Sequence, residues 1–320
     1  MKDRQKGHFI VLLNEGDVIP ANEIYSSPEA IEIVSSDVQT SVDPLTVKGI
    51  YELSAPASLG QILDSSPTNE EKECLCRALC GVFEAESLLE EFNEKKSTPG
   101  VFGFRLVLFG SASLCVTVLP GRLSHDVDIA CSREFADFCE HLPRKSRGAV
   151  PEFVPARVLG YLGSWDERSS SLTGMNGAEI LVLHPLDTVM QKLLRSDIQR
   201  FDTNDKDDIE RVLGKLRPSQ ELLLNLLTEN TARYRIPPQK EQAEAVRRNT
   251  EWFLQRFLPQ MSYQDVVTES ENREDAEMER YGFRPLRDFG IKPVKSLPLA
   301  AILRIVPAAS TRSGQAHDGK

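Results

Sequence analysis

The sequence predicts a mixed α+β fold in which helices pack on an α/β mixed sheet. Three observations predict it. Short apolar runs cut by Gly, Pro, Ser and Asp open the chain. Strand-length runs then alternate with stretches of helical periodicity, and from residue 217 the pattern is helical before it turns polar. This divides the chain into an N-terminal β-rich extension of no legible role (1–68), a central domain (69–216), a helical region (217–268) and a polar, partly disordered tail (269–320).

The chain has 320 residues, enough to bury a sizeable core, with 40% hydrophobic and 27% charged residues, as in an ordinary soluble protein. No apolar run approaches the roughly 20 residues that span a bilayer. The N-terminal run 9–13 is shorter than a secretory core and has no small-residue cleavage site after it, so a cytoplasmic protein without a membrane partner is expected. The net charge of −10 disfavours an extended grip on a polyanion, because such affinity comes from Lys and Arg on phosphates. Carboxylates suit a magnesium site instead. Six cysteines stand at 74, 76, 80, 115, 131 and 139. Cys74, Cys76 and Cys80 share a helical stretch with no second ligand pair at zinc spacing, so reduced, partly buried thiols are expected.

Each element has its own reason. Runs 9–13, 30–34 and 50–53 read as strands. Thr68-Asn69-Glu70-Glu71 places a polar cap before an acidic first turn, so a helix should run to about Lys95, with Leu75, Leu79, Val82, Phe83, Leu88 and Leu89 on one side. The run 104–109 reads as a strand, and Gly110-Ser111 follows it at once. Residues 112–119 begin a helix, which Pro120-Gly121 closes. Asp126-Val127-Asp128-Ile129-Ala130 alternates as a half-buried strand does. A helix over 133–142, strands over 156–162 and 178–183, and a helix over 188–194 come next. A polar insert over 195–204 precedes a helix over 205–216. Helices over 220–230 and 239–257 complete the pattern, the chain turns strongly polar from about 269, and 305–320 reads as a disordered tail.

The chemistry lies in the central segment. Side chains at i and i+2 of a strand face the same way, so Asp126 and Asp128 converge on one point. Two such carboxylates repel unless a cation joins them, and Mg2+ carrying triphosphate oxygens is the natural partner. Gly110 lets the backbone approach a phosphate, a helix N-terminus turns amides toward it, and Ser111 adds a hydroxyl. Together they describe an NTP held across a metal for in-line attack at the α-phosphate. Alternation points His125 away from Asp126, so it is not counted as a ligand.

Gly110-Ser111-Ala112-Ser113-Leu114, followed by Gly121-Arg122-Leu123-Ser124-His125-Asp126-Val127-Asp128, resembles the first motif of the DNA polymerase β-like nucleotidyltransferase superfamily. The Arg-x-Ser-x-Asp-hydrophobic-Asp form is most similar to the type IV abortive-infection toxin group and related small bacterial proteins. The resemblance covers about 110 residues. It implies a nucleotidyltransferase core in the central domain and a further set of residues. Pro185-Leu186-Asp187 leads to Lys192-Leu193, Lys206-Asp207-Asp208 lies on the next helix, and Tyr161, Trp165 and Arg168 precede them. Lys192 and Lys206 would then contact the nucleotide; outside the resemblance, Lys192 reads as a stem crossing an apolar face and Lys206 as a helix-start residue. The family places a third carboxylate on a neighbouring strand, for which Glu179 stands first and Glu152 second.

Two functions follow. One is a Mg-dependent nucleotidyltransferase that moves NMP from NTP to a hydroxyl acceptor on tRNA (an RNA partner), a protein or a small molecule. The toxin resemblance adds a toxin-antitoxin role with an antitoxin protein as partner. The other is a catalytically inactive protein of the same fold that binds or regulates.

Overall fold

The computed structural model describes residues 3–15, 17–34, 39–54, 68–95, 106–122, 126–141, 150–159, 165–174, 179–233 and 240–280. The chain divides into two compact units, Met1–Pro218 and Ser219–Lys320. The first is a mixed α+β unit built on an open mixed sheet. Its strands are β1 (Asp3–Leu13), β2 (Val18–Ser26), β3 (Ile31–Val34), β4 (Gln39–Val42), β5 (Val47–Ser54), β6 (Leu106–Leu108), β7 (Asp126–Cys131), β8 (Val150–Pro155), β9 (Ser170–Gly174) and β10 (Glu179–Val182). Its helices are α1 (Asn69–Lys95), α2 (Gly110–Thr117), α3 (Arg133–Glu140), α4 (Pro185–Leu193) and α5 (Lys206–Leu216).

The described strands form one sheet in the order β4-β3-β2-β1-β5-β9-β10-β6-β7-β8. β10 pairs with β6 and β7 with β8 in parallel; the other neighbours are antiparallel. The five N-terminal strands thus continue the sheet that carries the central motif, joined to it where β5 pairs with β9. The period-2 rule shows in β1: Ile10 and Leu12 enter the main core with α1, and Phe9 and Val11 enter a second cluster with Ile24, Ile33 and Ile50.

A reciprocal cap starts α1, with the Glu71 N–H donating to Thr68 Oγ1 at 3.2 Å and the Thr68 N–H to Glu71 Oε2 at 2.7 Å. Its buried stripe, Leu75, Leu79 and Val82, packs into the core with Leu106, Leu108, Val127 and Ile129.

Several boundaries differ from expectation. In place of a strand over 156–162, β8 occupies Val150–Pro155, a 3-10 turn covers Ala156–Leu159, and 160–162 lie outside the described residues. Pro151 and Pro155 read as breakers, yet β8 is an edge strand, where a missing N–H costs no ladder bond. β2 went unpredicted for a related reason. It carries Pro20 opposite Ile10, but β3 pairs with β2 only at Glu23–Ser26, so no described residue of β3 pairs with Pro20 on that side. Residues 104–105, 175–178 and the tail 305–320 lie outside the described residues.

The second unit contains α6 (Gln220–Arg233), α7 (Lys240–Phe257) and α8 (Tyr263–Arg280). Leu223, Leu226, Leu227, Phe253, Leu254, Leu258 and Val266 are buried within it. α8 starts inside the expected helical region and continues to Arg280, into the start of the stretch read as polar tail. Ser262 caps it through Asp265, and Arg273 pairs with Glu269 at 2.9 Å and donates to Asn225 Oδ1 at 2.7 Å. The polar residues of α8 thus make a cap and an i,i+4 ion pair on the helix surface.

Candidate active site

Strand β6 ends at Leu108, and Phe109 in extended conformation delivers the chain to Gly110, whose φ of 63° lies in the left-handed region. Gly110 opens α2, so the turn that starts this helix requires a residue without a Cβ. The next strand over is β7, where Phe109 N–H donates to the Asp128 carbonyl at 3.0 Å. A Cβ built on Gly110 would overlap Oδ2 of Asp128. The glycine-serine turn and the second acid are therefore in direct contact, with Ser111 buried beside them.

Alternation along β7 sorts its residues. Val127, Ile129, Ala130 and Cys131 are buried, Asp128 is half-buried and Asp126 exposed. Val127 packs against α1 at Gly81, where an added Cβ would lie 2.8 Å from Val127 Cγ2. Asp126 and Asp128 accordingly share the other side of the strand. On the neighbouring edge strand Glu152 stands opposite Asp128 in the parallel register. Burial, then the Glu152 charge, pushes the Asp128 carboxyl up to about 6, and Asp126 adds to the rise. Arg200 and Arg195 oppose it. Negative charge is thus concentrated here, with two guanidinium groups close enough to be felt. Among the described residues no three His, Cys, Asp or Glu side chains are arranged to hold a metal ion. Mg2+ needs fewer protein ligands than that, since it binds through one or two carboxylates with phosphate and water completing the shell. The donor set and the glycine cradle fit such an ion.

Glu179 opens β10, whose register aligns Ile180 with Leu106 and Val182 with Leu108. The acids of β7 lie at the other end of β6, where Leu108 faces Ile129. Glu179 is therefore roughly 13 Å along the sheet from the level of Asp128 and two strands across. The backbone does not bring it to the pair, and Glu152 holds the neighbouring place.

The downstream residues join a different arrangement. Lys192 is buried on α4, and its Nζ lies 2.6 Å from Asp205 Oδ1 and 2.9 Å from Asp208 Oδ2. Arg195 Nε reaches Asp205 Oδ2 at 2.6 Å, and Arg122 Nε reaches Asp208 Oδ1 at 2.6 Å. Arg122 belongs to the lead-in before Asp126, so this network ties that loop to α4 and α5. Lys192 spends its charge on two buried carboxylates. Lys206 is half-buried, pairs with Asp202 at 2.8 Å and lies over the Phe201 ring. Arg168 grips the buried Asp187 with two bonds of 3.0 and 2.6 Å, which fixes the start of α4. There the half-buried His184 caps the helix through Nδ1; desolvation and then Arg168 lower its pKa to about 4. Ser113 Oγ lies 3.0 Å from Thr188 Oγ1 and links α2 to α4. Ser124, His125 and Tyr161 are outside the described residues.

Sequence reasoning passed over Arg195 and Arg200. Their only signal was two basic residues within the polar insert, which folds as short helical turns at Ile198–Arg200 and Phe201–Asp205.

No helix of the described residues is long and apolar enough to cross a membrane. No protein-family model, curated protein or solved structure matches the chain.

Proposed function

We propose that the protein is a Mg2+-dependent nucleotidyltransferase of the DNA polymerase β-like superfamily, acting in the cytoplasm. It would move NMP from an NTP to a hydroxyl acceptor on RNA, a protein or a small molecule. The observation that carries this reading is the contact between Gly110, at the start of a helix, and the carboxylate of Asp128 on the adjacent strand. A phosphate at that helix N-terminus lies beside the metal-binding carboxylates, which is the proximity that phosphoryl chemistry needs.

Asp126 and Asp128 would hold the cation, which supplies charge neutralisation at the reacting phosphate when bound. The Ser111 hydroxyl and the amides opening α2 orient the phosphates. Arg195 and Arg200 offset the triphosphate charge. Glu152, exposed and level with Asp128, is placed to take the proton of the incoming hydroxyl. Lys192 acts through structure, by holding Asp205 and Asp208. The toxin-antitoxin role, with an antitoxin protein partner, rests on the sequence resemblance alone.

The test is incubation with each α-labelled NTP, Mg2+ and a cell extract. Label should transfer to a macromolecule or small acceptor, and the transfer should vanish in Asp126→Ala and Asp128→Ala while Glu179→Ala keeps it. Failure of the wild-type protein to bind any NTP in the presence of Mg2+ sinks the reading. The separation of Glu179 from the acid pair favours a second reading, a protein of this fold that binds nucleotide without turnover. Saturable NTP binding with no transfer to any acceptor supports that one.

A further inference from the structure

Away from the candidate active site, β5 and α1 bring together three side chains that the nucleotidyl-transfer reading leaves unused. Lys48 on β5 places its Nζ 3.9 Å from the Cys80 sulfur on α1. The same ammonium lies 4.9 Å above the centre of the Phe83 ring, one turn further along the helix face. Cys76 sits one turn before Cys80 on the same helix. Lys48 forms no ion pair with a carboxylate among the described residues. The cation's partners are a sulfur and an aromatic face.

We propose that Cys80 is a modification site: a sulfur beside the Lys48 ammonium that peroxides oxidise to a sulfenic acid. Three features support it. The Lys48 ammonium stands beside the sulfur, and a neighbouring cation favours the ionised form. Cys80 is half-buried, so a small oxidant reaches it, whereas Cys76, Cys115 and Cys131 are buried. The neighbouring Cys76 thiol and the Lys48 charge lower the Cys80 pKa to about 6 against the opposing effects of burial and Glu84; burial pushes Cys131 up to about 11 and Cys139 up to about 12.

In the reaction the Cys80 thiolate attacks one peroxide oxygen. An S–O bond forms, the O–O bond breaks, and the departing hydroxide takes a proton from solvent to leave as water. Sulfur loses two electrons and the peroxide gains them. Cys76 is a poor resolving partner. On a helix, i and i+4 Cβ atoms stand about 5–6 Å apart, and a disulfide needs about 4 Å. Sulfenic acid therefore accumulates at Cys80 in place of an intrahelical disulfide.

The experiment uses the full chain. Iodoacetamide labelling is followed from pH 5 to 9 with peptide mapping, and hydrogen peroxide treatment is followed by dimedone capture. The midpoint of labelling is the readout, because an acidic thiolate is also a weaker nucleophile and its rate at one pH is a poor guide. Cys80 should label with a midpoint near pH 6, move up by a unit or more in Lys48→Met, and return in Lys48→Arg. Dimedone should mark Cys80 and not Cys139. The proposal is overturned by a Cys80 midpoint in the ordinary thiol range, by a midpoint that Lys48→Met leaves in place, or by peroxide that yields no Cys80 adduct. Circular dichroism of each variant separates these outcomes from unfolding, and none depends on nucleotide binding.

Discussion

Oδ2 of Asp128 occupies the space into which a Cβ on residue 110 would project. Gly110 also has a φ of 63°, so two constraints meet at one residue. Gly110→Ala adds left-handed strain of about 1–2 kcal/mol and pushes the carboxylate aside. Thermal unfolding should show a modest loss of that size, with loss of Mg2+-dependent nucleotide binding far beyond it. Binding at wild-type affinity in a folded Gly110→Ala protein would show that the contact has no part in the site.

The acids depend on the other face of β7 as well. Val127 stands between them and fills the space above Gly81 of α1, so Gly81→Ala forces α1 and β7 apart. Overpacking of this kind costs about 1–3 kcal/mol. Val127→Ala removes the methyl groups at 2.8 and 3.1 Å from the new Cβ and keeps the Val127 Cβ at 2.9 Å, so it relieves the crowding in part. The double variant should therefore be more stable than the sum of the single changes requires, by at least about 1 kcal/mol in urea denaturation. Strict additivity would mean the two residues do not meet.

Lys192 separates a structural role from a binding one. Lys192→Met leaves Asp205 and Asp208 buried without the ammonium they share. The expected loss is about 3 kcal/mol, at the low end for a broken buried pair, because Arg195 and Arg122 still hold those carboxylates. Chemical denaturation measures it. A Lys192→Met protein of unchanged stability but weakened nucleotide affinity would restore Lys192 to the phosphates.

These residues also mark how far the sequence could be read. Asp126-Val127-Asp128 and the turn at Gly110 were legible because period-2 alternation and an apolar run ending in glycine are local signals. Which acid stands beside them was not, because Glu152 and Glu179 differ only in strand order and register, and those depend on pairings between distant segments. Lys192 was misjudged for a similar reason: a lysine on an apolar helix looks the same whether it faces phosphate or two buried aspartates. In the fold, Pro151 and Pro155 hid β8, since a proline reads as a breaker until the strand is known to lie at an edge.

Glu86 gives the molecule a pH dependence independent of the acids on β7. It is buried on α1, accepts a hydrogen bond from the Tyr51 hydroxyl at 3.2 Å, and its other oxygen has no partner. Burial pushes its pKa up from 4.5 to about 7, with Glu90 adding to the rise and Tyr51 opposing it. The folded state thus binds this proton more tightly than the unfolded chain does. Stability from Glu86 is fully present below pH 4.5 and is lost as pH rises through about 7. At pH 8 the ionised carboxylate costs about 3 kcal/mol relative to acid solution. Glu86→Gln keeps an acceptor for Tyr51 and removes the titration. Urea denaturation at pH 5 and pH 8 should show the variant losing about 2.5 kcal/mol less than the wild type across that interval. An equal loss in both proteins would mean that Glu86 reaches solvent and ionises at its ordinary pH.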